Sequence, residues 1–221
     1  MYRLIFIVFF FLFLWSCNTS TEKKVVDEIV IPPEFTFNEL ELLKKGDSTK
    51  AFRVLKITNK IDSLLLREES KTVLFSSEDS LLTLFSERLI ATVQDSNSLG
   101  VGIAAPQVGF LKNIICVQRF DKETEPFEVY YNPTIKQYSK KTQPCREGCL
   151  SIPGRMDTLT IRSYAILLEY DNIEGEHQYE MVEDFTAVIF QHEIDHLKGI
   201  LYTDYLHEKA HAEGVKHKHH N

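Results

Sequence analysis

The chain predicts an α+β domain in which antiparallel sheets pack around a central helix, with a second amphipathic helix nearer the N-terminus. Three observations carry this expectation. Phe185, Val188, Ile189, His192 and His196 fall on one stripe at helical spacing. So do Leu81, Leu82, Phe85, Leu89 and Val93. Around these two segments lie short apolar and β-branched runs bounded by turn residues, which read as strands. Strands that surround two helices fit sheets with helices packed on them.

Taken in order, residues 1–17 read as an export signal. Met1-Tyr2-Arg3 is a basic start and Leu4 to Trp15 is an unbroken apolar run. The run is shorter than the ~20 residues that span a bilayer and has the length of a signal-peptide core. Ser16-Cys17 follows, then polar residues, so Cys17 is the candidate lipidated residue of a bacterial lipoprotein signal, although Trp15 is bulky for such a site. An uncleaved anchor or a misplaced start are the alternatives, and the second would leave the protein in the cytoplasm. Residues 18–50 are polar and charged with Pro32-Pro33 and read as a tether. The folded domain is expected over 51–206.

Within that domain Phe52 to Ile57 is a candidate first strand. A helix starts at Ser77 or Asp79 and runs to about Gln94. Asn113 to Arg119 reads as a strand with Cys116 in its packing, and Val129 to Pro133 ends another. Ser163 to Tyr170 and Glu176 to Met181 form a hairpin. The last helix has Asp184 as N-cap, Lys198 in its final turn and Gly199 just beyond. Residues 207–221 hold five of the eight histidines and read as a solvated, frayed tail.

The chemistry lies in three short stretches. In Gln191-His192-Glu193-Ile194-Asp195-His196 the two histidines are four apart, so on a helix both can face one ion. This is the H-E-x-x-H arrangement, in which the glutamate serves as a general base. Glu147-Gly148-Cys149-Leu150-Ser151 offers a thiolate as third ligand, which suits zinc or ferrous iron. Three protein ligands with one open position are the ligand set of a catalytic site. Cys145 is the rival thiol and lacks the Gly-Cys-Leu-Ser context. Gly100-Val101-Gly102-Ile103-Ala104-Ala105-Pro106-Gln107 supplies small residues for close backbone approach and ends on an amide donor suited to an oxyanion. It does not continue into a dinucleotide-binding fingerprint. Taken singly, each stretch has a bland reading: a hydrogen-bonded histidine pair, a buried cysteine, a turn.

Together and in this order the three stretches resemble the peptide deformylase motifs G-x-G-x-A-A-x-Q, E-G-C-L-S and H-E-x-D-H, and the likeness covers about residues 50–206. That resemblance implies a metal held by Cys149, His192 and His196, one ion per chain, ferrous iron in many members, with zinc or another divalent ion as the alternative. It implies Glu193 as the group that moves protons, and Gln107 with the backbone N–H of Leu150 as oxyanion donors. The substrate would be an N-formylmethionyl peptide lying extended along a strand, with Gly100, Gly102, Ile103 and Gly148 in contact with it. Asp195 is expected to orient an imidazole or pair with an arginine such as Arg162, an ordinary surface ion pair being the alternative.

At 43% hydrophobic and 26% charged the 221 residues suit one globular domain with extensions. A net charge of −7 argues against nucleic acid as a partner. The expected partners are the formyl peptide and a membrane, reached through Cys17, with the protein a monomer. Two other readings stand beside this one. A zincin-type peptidase would use His192, Glu193 and His196 alone. A non-catalytic peptide-binding surface protein would leave Glu193 without work.

Overall fold

The computed structural model describes residues 35–75, 80–95 and 100–206. The signal, Cys17, the start of the tether, the helix starts at Ser77 and Asp79, and the histidine-rich tail lie outside these residues. The elements are α1 (Phe37–Leu43), α2 (Lys60–Leu65), α3 (Ser80–Val93), β1 (Gly102–Ala104), a 3-10 turn (Ala105–Val108), β2 (Ile114–Gln118), β3 (Phe127–Tyr138), β4 (Thr142–Cys149), β5 (Ile152–Ser163), β6 (Ala165–Asp171), β7 (His177–Glu183) and α4 (Asp184–Leu197). β1-β2-β3-β6-β7 form one antiparallel sheet, and β4-β5 form a separate ribbon. This is the α+β class that the sequence predicts.

β2 shows how the layers arise. Alternate residues of a strand face opposite sides of its sheet. Ile114 and Cys116 enter one core with Leu82, Phe85, Leu89 and Val93 of α3. Ile115 and Val117 enter a second with Ala187, Ile189, Phe190 and Ile194 of α4. The run is apolar at four successive positions because both faces are covered. α4 contacts all seven strands and is the central helix. Among the described residues no helix is long and apolar enough to cross a membrane.

The tether ends earlier than expected. Phe35 and Leu43 are buried, and Phe35 packs on Phe85 and Phe110 with ring centroids 5.9 Å apart in each case. α1 is started by a capping box, in which the Thr36 hydroxyl accepts from the Glu39 N–H and the Glu39 carboxylate accepts from the Thr36 N–H. Residues 52–56 form no strand: Leu55 N–H donates to the Gln107 carbonyl and Ile57 N–H to that of Ser151, isolated bonds that make no ladder. β3 does not stop at Pro133. Asn132 takes a left-handed turn (φ 49°), the register shifts, and the strand runs on to Tyr138.

α4 starts directly off β7 without a loop. Glu183 therefore holds the N-cap position expected of Asp184, and Asp184 makes the turn with φ 56° while its N–H donates to the Tyr164 carbonyl. The helix ends as its sequence suggests, at Gly199 with φ 68°. A β-carbon there would lie 2.3 Å from the Arg67 carbonyl oxygen, so this end admits glycine alone.

Candidate active site

Two elements bring the chemical groups together. α4 carries His192 and His196 one turn apart, their ring centroids 5.1 Å from each other. β4 ends at Cys149, where the pairing jumps from Gly148↔Met156 to Cys149↔Ile152. That jump turns the chain through Leu150 and Ser151 and leaves the thiol facing α4. The ligand atoms of Cys149, His192 and His196 all lie within 4.8 Å of one another. Cys149 Sγ is 3.2 Å from His196 Nε2.

The imidazole of His192 is held from behind. Its Nδ1 lies 2.8 Å from Glu147 Oε2, so with the Nδ1–H donating to the carboxylate the ring is oriented with Nε2 toward the cluster. Glu147 is in turn gripped by Arg162, with Nε and Nη2 each donating at 2.9 Å. Arg162 Nη1 reaches Asp195 at 2.6 Å, and the Tyr205 hydroxyl donates to the same carboxylate at 3.0 Å. The Asp195–Arg162 pair foreseen in the sequence is present. It is Glu147, however, that touches an imidazole. The ring of Tyr202 lies over His192 at 5.9 Å between centroids.

The electrostatics favour a cation. Burial alone would raise the Cys149 thiol, but the charge on His196 and hydrogen bonds from both histidines outweigh it and hold the group well below the usual thiol range. Burial alone would lower His192, but hydrogen bonds to Cys149 and Glu147 hold it well above the usual imidazole range. The cluster thus stabilises positive charge against a thiolate, the condition a soft divalent ion would meet. Among the described residues, His196 Nδ1 and Glu193 Oε2 are buried without a hydrogen-bond partner. One thiolate and two imidazoles suit zinc or ferrous iron, so the residues fit such an ion.

Glu193 is 4% exposed, and burial, the largest influence on it, pushes its carboxyl up to about 7. A carboxyl in that range both takes and returns protons at neutral pH. Gly102 of β1 packs directly on it, since a β-carbon there would lie 2.5 Å from Glu193 Oε1. The Gln107 amide is locked in one orientation: Oε1 accepts from Ala104 N–H at 2.8 Å, which turns Nε2 toward Ser151 Oγ (3.3 Å) and Cys149 Sγ (3.5 Å). The Leu150 carbonyl accepts from Lys56 Nζ, which fixes the turn that carries the Leu150 N–H.

These groups lie in a groove of about 810 Å³. Gly100, Gly102, Gln107, Gly148, Cys149, Leu150, His192 and Glu193 line it; Ile103 and His196 do not. Ile103 is instead in the core with α3. Phe185 leaves the buried stripe, at 40% exposed, and lines the groove as well. Cys145 stands on the groove wall outside the cluster of ligand atoms, as expected of a bystander. Reading the sequence missed Glu147, Lys56, Tyr202 and Tyr205. Only Glu147 left a signal, its place two residues before the ligand thiol.

The family model described as Polypeptide deformylase matches residues 52–212. A peptide deformylase of Caulobacter sp. (strain K31) is 36% identical over 155 residues, 70% of this chain and 87% of the relative. One of Desulforudis audaxviator (strain MP104C) is 40% identical over 148 residues, 63% of this chain and 86% of the relative. The crystal structure of a class I type b peptide deformylase from Acinetobacter baumannii with Met-Ala-Ser bound superposes with a TM-score of 0.62 at 29% identity, covering 71% of this chain and 98% of that one. The peptide deformylase from Thermotoga maritima gives 0.60 at 31% identity, covering 70% and 96%. With the matched motifs gathered around one groove, this chain belongs to the polypeptide deformylase family.

Proposed function

We propose that the protein hydrolyses the N-formyl group of N-formylmethionyl peptides, with water as co-substrate and formate and a free amine as products. One observation carries this above the rest: a thiol and two imidazoles converge within 4.8 Å beside the buried carboxyl of Glu193, which burial pushes up to about 7. Cys149, His192 and His196 hold the metal, and Fe2+ is the ion we assign, with Zn2+ the alternative. When bound, such an ion supplies Lewis acidity and brings the pKa of water to about 7.

The chain's own groups do the rest. Glu193 takes a proton from the water that attacks the formyl carbon. It then passes a proton to the departing amine nitrogen as the C–N bond breaks. Gln107 Nε2 and the Leu150 N–H donate to the formyl oxygen as negative charge develops there. Glu147 and Arg162 hold His192 in the tautomer that binds. The peptide lies extended in the groove against Gly100, Gly102 and Gly148, and Ile103 acts from behind, by packing β1 against α3.

A peptidase of the zincin type would leave Cys149 and Gln107 idle, and a non-catalytic binding protein would leave the buried carboxyl of Glu193 idle. The test is formate release from a formyl-Met tripeptide by anaerobically prepared, Fe2+-loaded protein. Release is expected from the formylated peptide and no cleavage of its unformylated counterpart. Peptide-bond cleavage without formate would move the assignment to the peptidase.

We also propose that the enzyme works outside the cytoplasm as a monomer tethered through lipid on Cys17. The basic start, the apolar run and the Ser16-Cys17 step support this. Fatty-acid labelling that disappears in Cys17→Ser is the expected result; labelling of neither protein would overturn the lipid tether.

A further inference from the structure

The protein carries a net charge of −7, yet its groove is lined by Lys56, Arg146 and Arg155. The carboxylates lining the groove are Glu147 and Glu193. Both are buried, and neither is free to neutralise the rim: Glu147 is taken by Arg162 and His192, and Glu193 sits beneath β1. Arg155 is paired through Nε with Asp157 at 2.7 Å, which leaves the rest of its guanidinium unengaged by that bond. Lys56 Nζ is directed at the Leu150 carbonyl. Arg146, an exposed residue of β4, has no ion-pair partner among the described residues.

Lining a cleft with one sign of charge focuses the field there even when the whole molecule has the other sign. An arginine fork also suits a carboxylate in a planar, two-bond contact. We propose, resting on the deformylase reading above, that Arg146, with Lys56 and Arg155 beside it, makes this groove selective for formyl peptides that carry a carboxylate downstream of the formylated residue. That carboxylate has two sources, an acidic side chain or the free C-terminus of a short peptide. The second source describes peptide fragments and not long chains.

The test uses the full chain, metal-loaded, with five peptides at low salt. Formyl-Met-Ala-Ala amide is the neutral reference. Formyl-Met-Ala-Ala with a free C-terminus, formyl-Met-Asp-Ala amide and formyl-Met-Ala-Asp amide supply the carboxylate, and formyl-Met-Ala-Lys amide supplies the opposite charge. An exposed ion pair is worth a factor of about two to five. We therefore expect kcat/KM for at least one carboxylate peptide to exceed the reference by about two- to fivefold, carried in KM, with the lysine peptide below it. The advantage shrinks toward one in Arg146→Gln and at ~1 M salt, where charges are screened within about 3 Å. An advantage limited to the free C-terminus assigns the groove to short peptides; an advantage for aspartate in the amides assigns it to acidic sequences. Equal kcat/KM for all five peptides overturns the proposal while leaving deformylation intact. Turnover of none overturns the deformylase reading itself and the proposal with it.

Discussion

Two buried arginines of this protein do similar chemistry to different ends. Arg119, with a side chain 1% exposed, donates to Asp121, Glu180, Glu128 and the Tyr130 hydroxyl, and so ties β2's end to β3 and β7. Arg162, 4% exposed, donates to Glu147 and Asp195. The difference lies in the partners. The three carboxylates on Arg119 are 28–32% exposed and can turn to water, whereas Glu147 and Asp195 are 4% and 13% exposed. Glu147 alone also holds an imidazole of the site. A wet network fastens a sheet; a dry one fixes the direction of an imidazole in the candidate site. Burial of the arginine itself does not distinguish them.

The largest expected effect separates the two in stability. Arg162→Ala leaves the buried Glu147 with His192 as its remaining partner and strips Asp195 of its ion pair, and is expected to cost about 3–5 kcal/mol of folding free energy. Arg119→Ala is expected to cost less, because its carboxylates reach solvent. Urea denaturation of both variants measures this, and the reverse order would break the comparison. Next in size is a change that touches neither arginine. Gln107→Ala removes one oxyanion donor and is expected to cost about 2.7–4 kcal/mol in the transition state, read as kcat/KM, with metal content unchanged. Lost metal in that variant would make Gln107 a support for Cys149 and not a donor to substrate.

Glu147→Gln sharpens the comparison further. It keeps the side chain's shape and weakens its grip on His192, so metal affinity is expected to fall about 10- to 100-fold. Glu180→Gln, the same change beside Arg119, is expected to leave metal affinity where it was. Competition with a chelator reads both. The smallest effect is a pH dependence. The hydrogen bond from Arg119 holds Asp121 below its ordinary value of 3.8. A depressed carboxyl contributes stability above its unfolded value and loses it as pH falls through the folded one. The Arg119→Ala protein should therefore lose less stability than the parent between pH 5 and about pH 3, seen as a smaller drop in urea midpoint. Parallel acid limbs would contradict the assigned role of Arg119.

The sequence made α4, α3, β2 and the β6–β7 hairpin legible because each is apolar with one clear period, or apolar on both faces. The β4–β5 ribbon escaped. Thr142–Cys149 is largely polar, contains Pro144, and packs in a two-stranded ribbon, so no apolar alternation marks it. α1 was hidden by the polar character of its neighbours, since Phe35 and Leu43 enter the core from a segment that composition reads as tether. The candidate ligands could be read because their residue types are chemically rare in such spacing. Their supports were legible only in the Asp195–Arg162 pair: Glu147 meets His192 and Arg162, and Tyr205 meets Asp195, only through tertiary structure, and no spacing encodes that.

The most direct measurement compares wild type with Glu193→Ala for two quantities on one sample: metal bound per chain and formate released from a formyl-Met tripeptide. Metal content is referred to a Cys149→Ala protein, which carries the same histidine-rich tail. The expected result is equal metal in wild type and Glu193→Ala, with formate from wild type alone. Formate at the wild-type rate from Glu193→Ala would contradict the assignment of its buried carboxyl as the group that moves the proton.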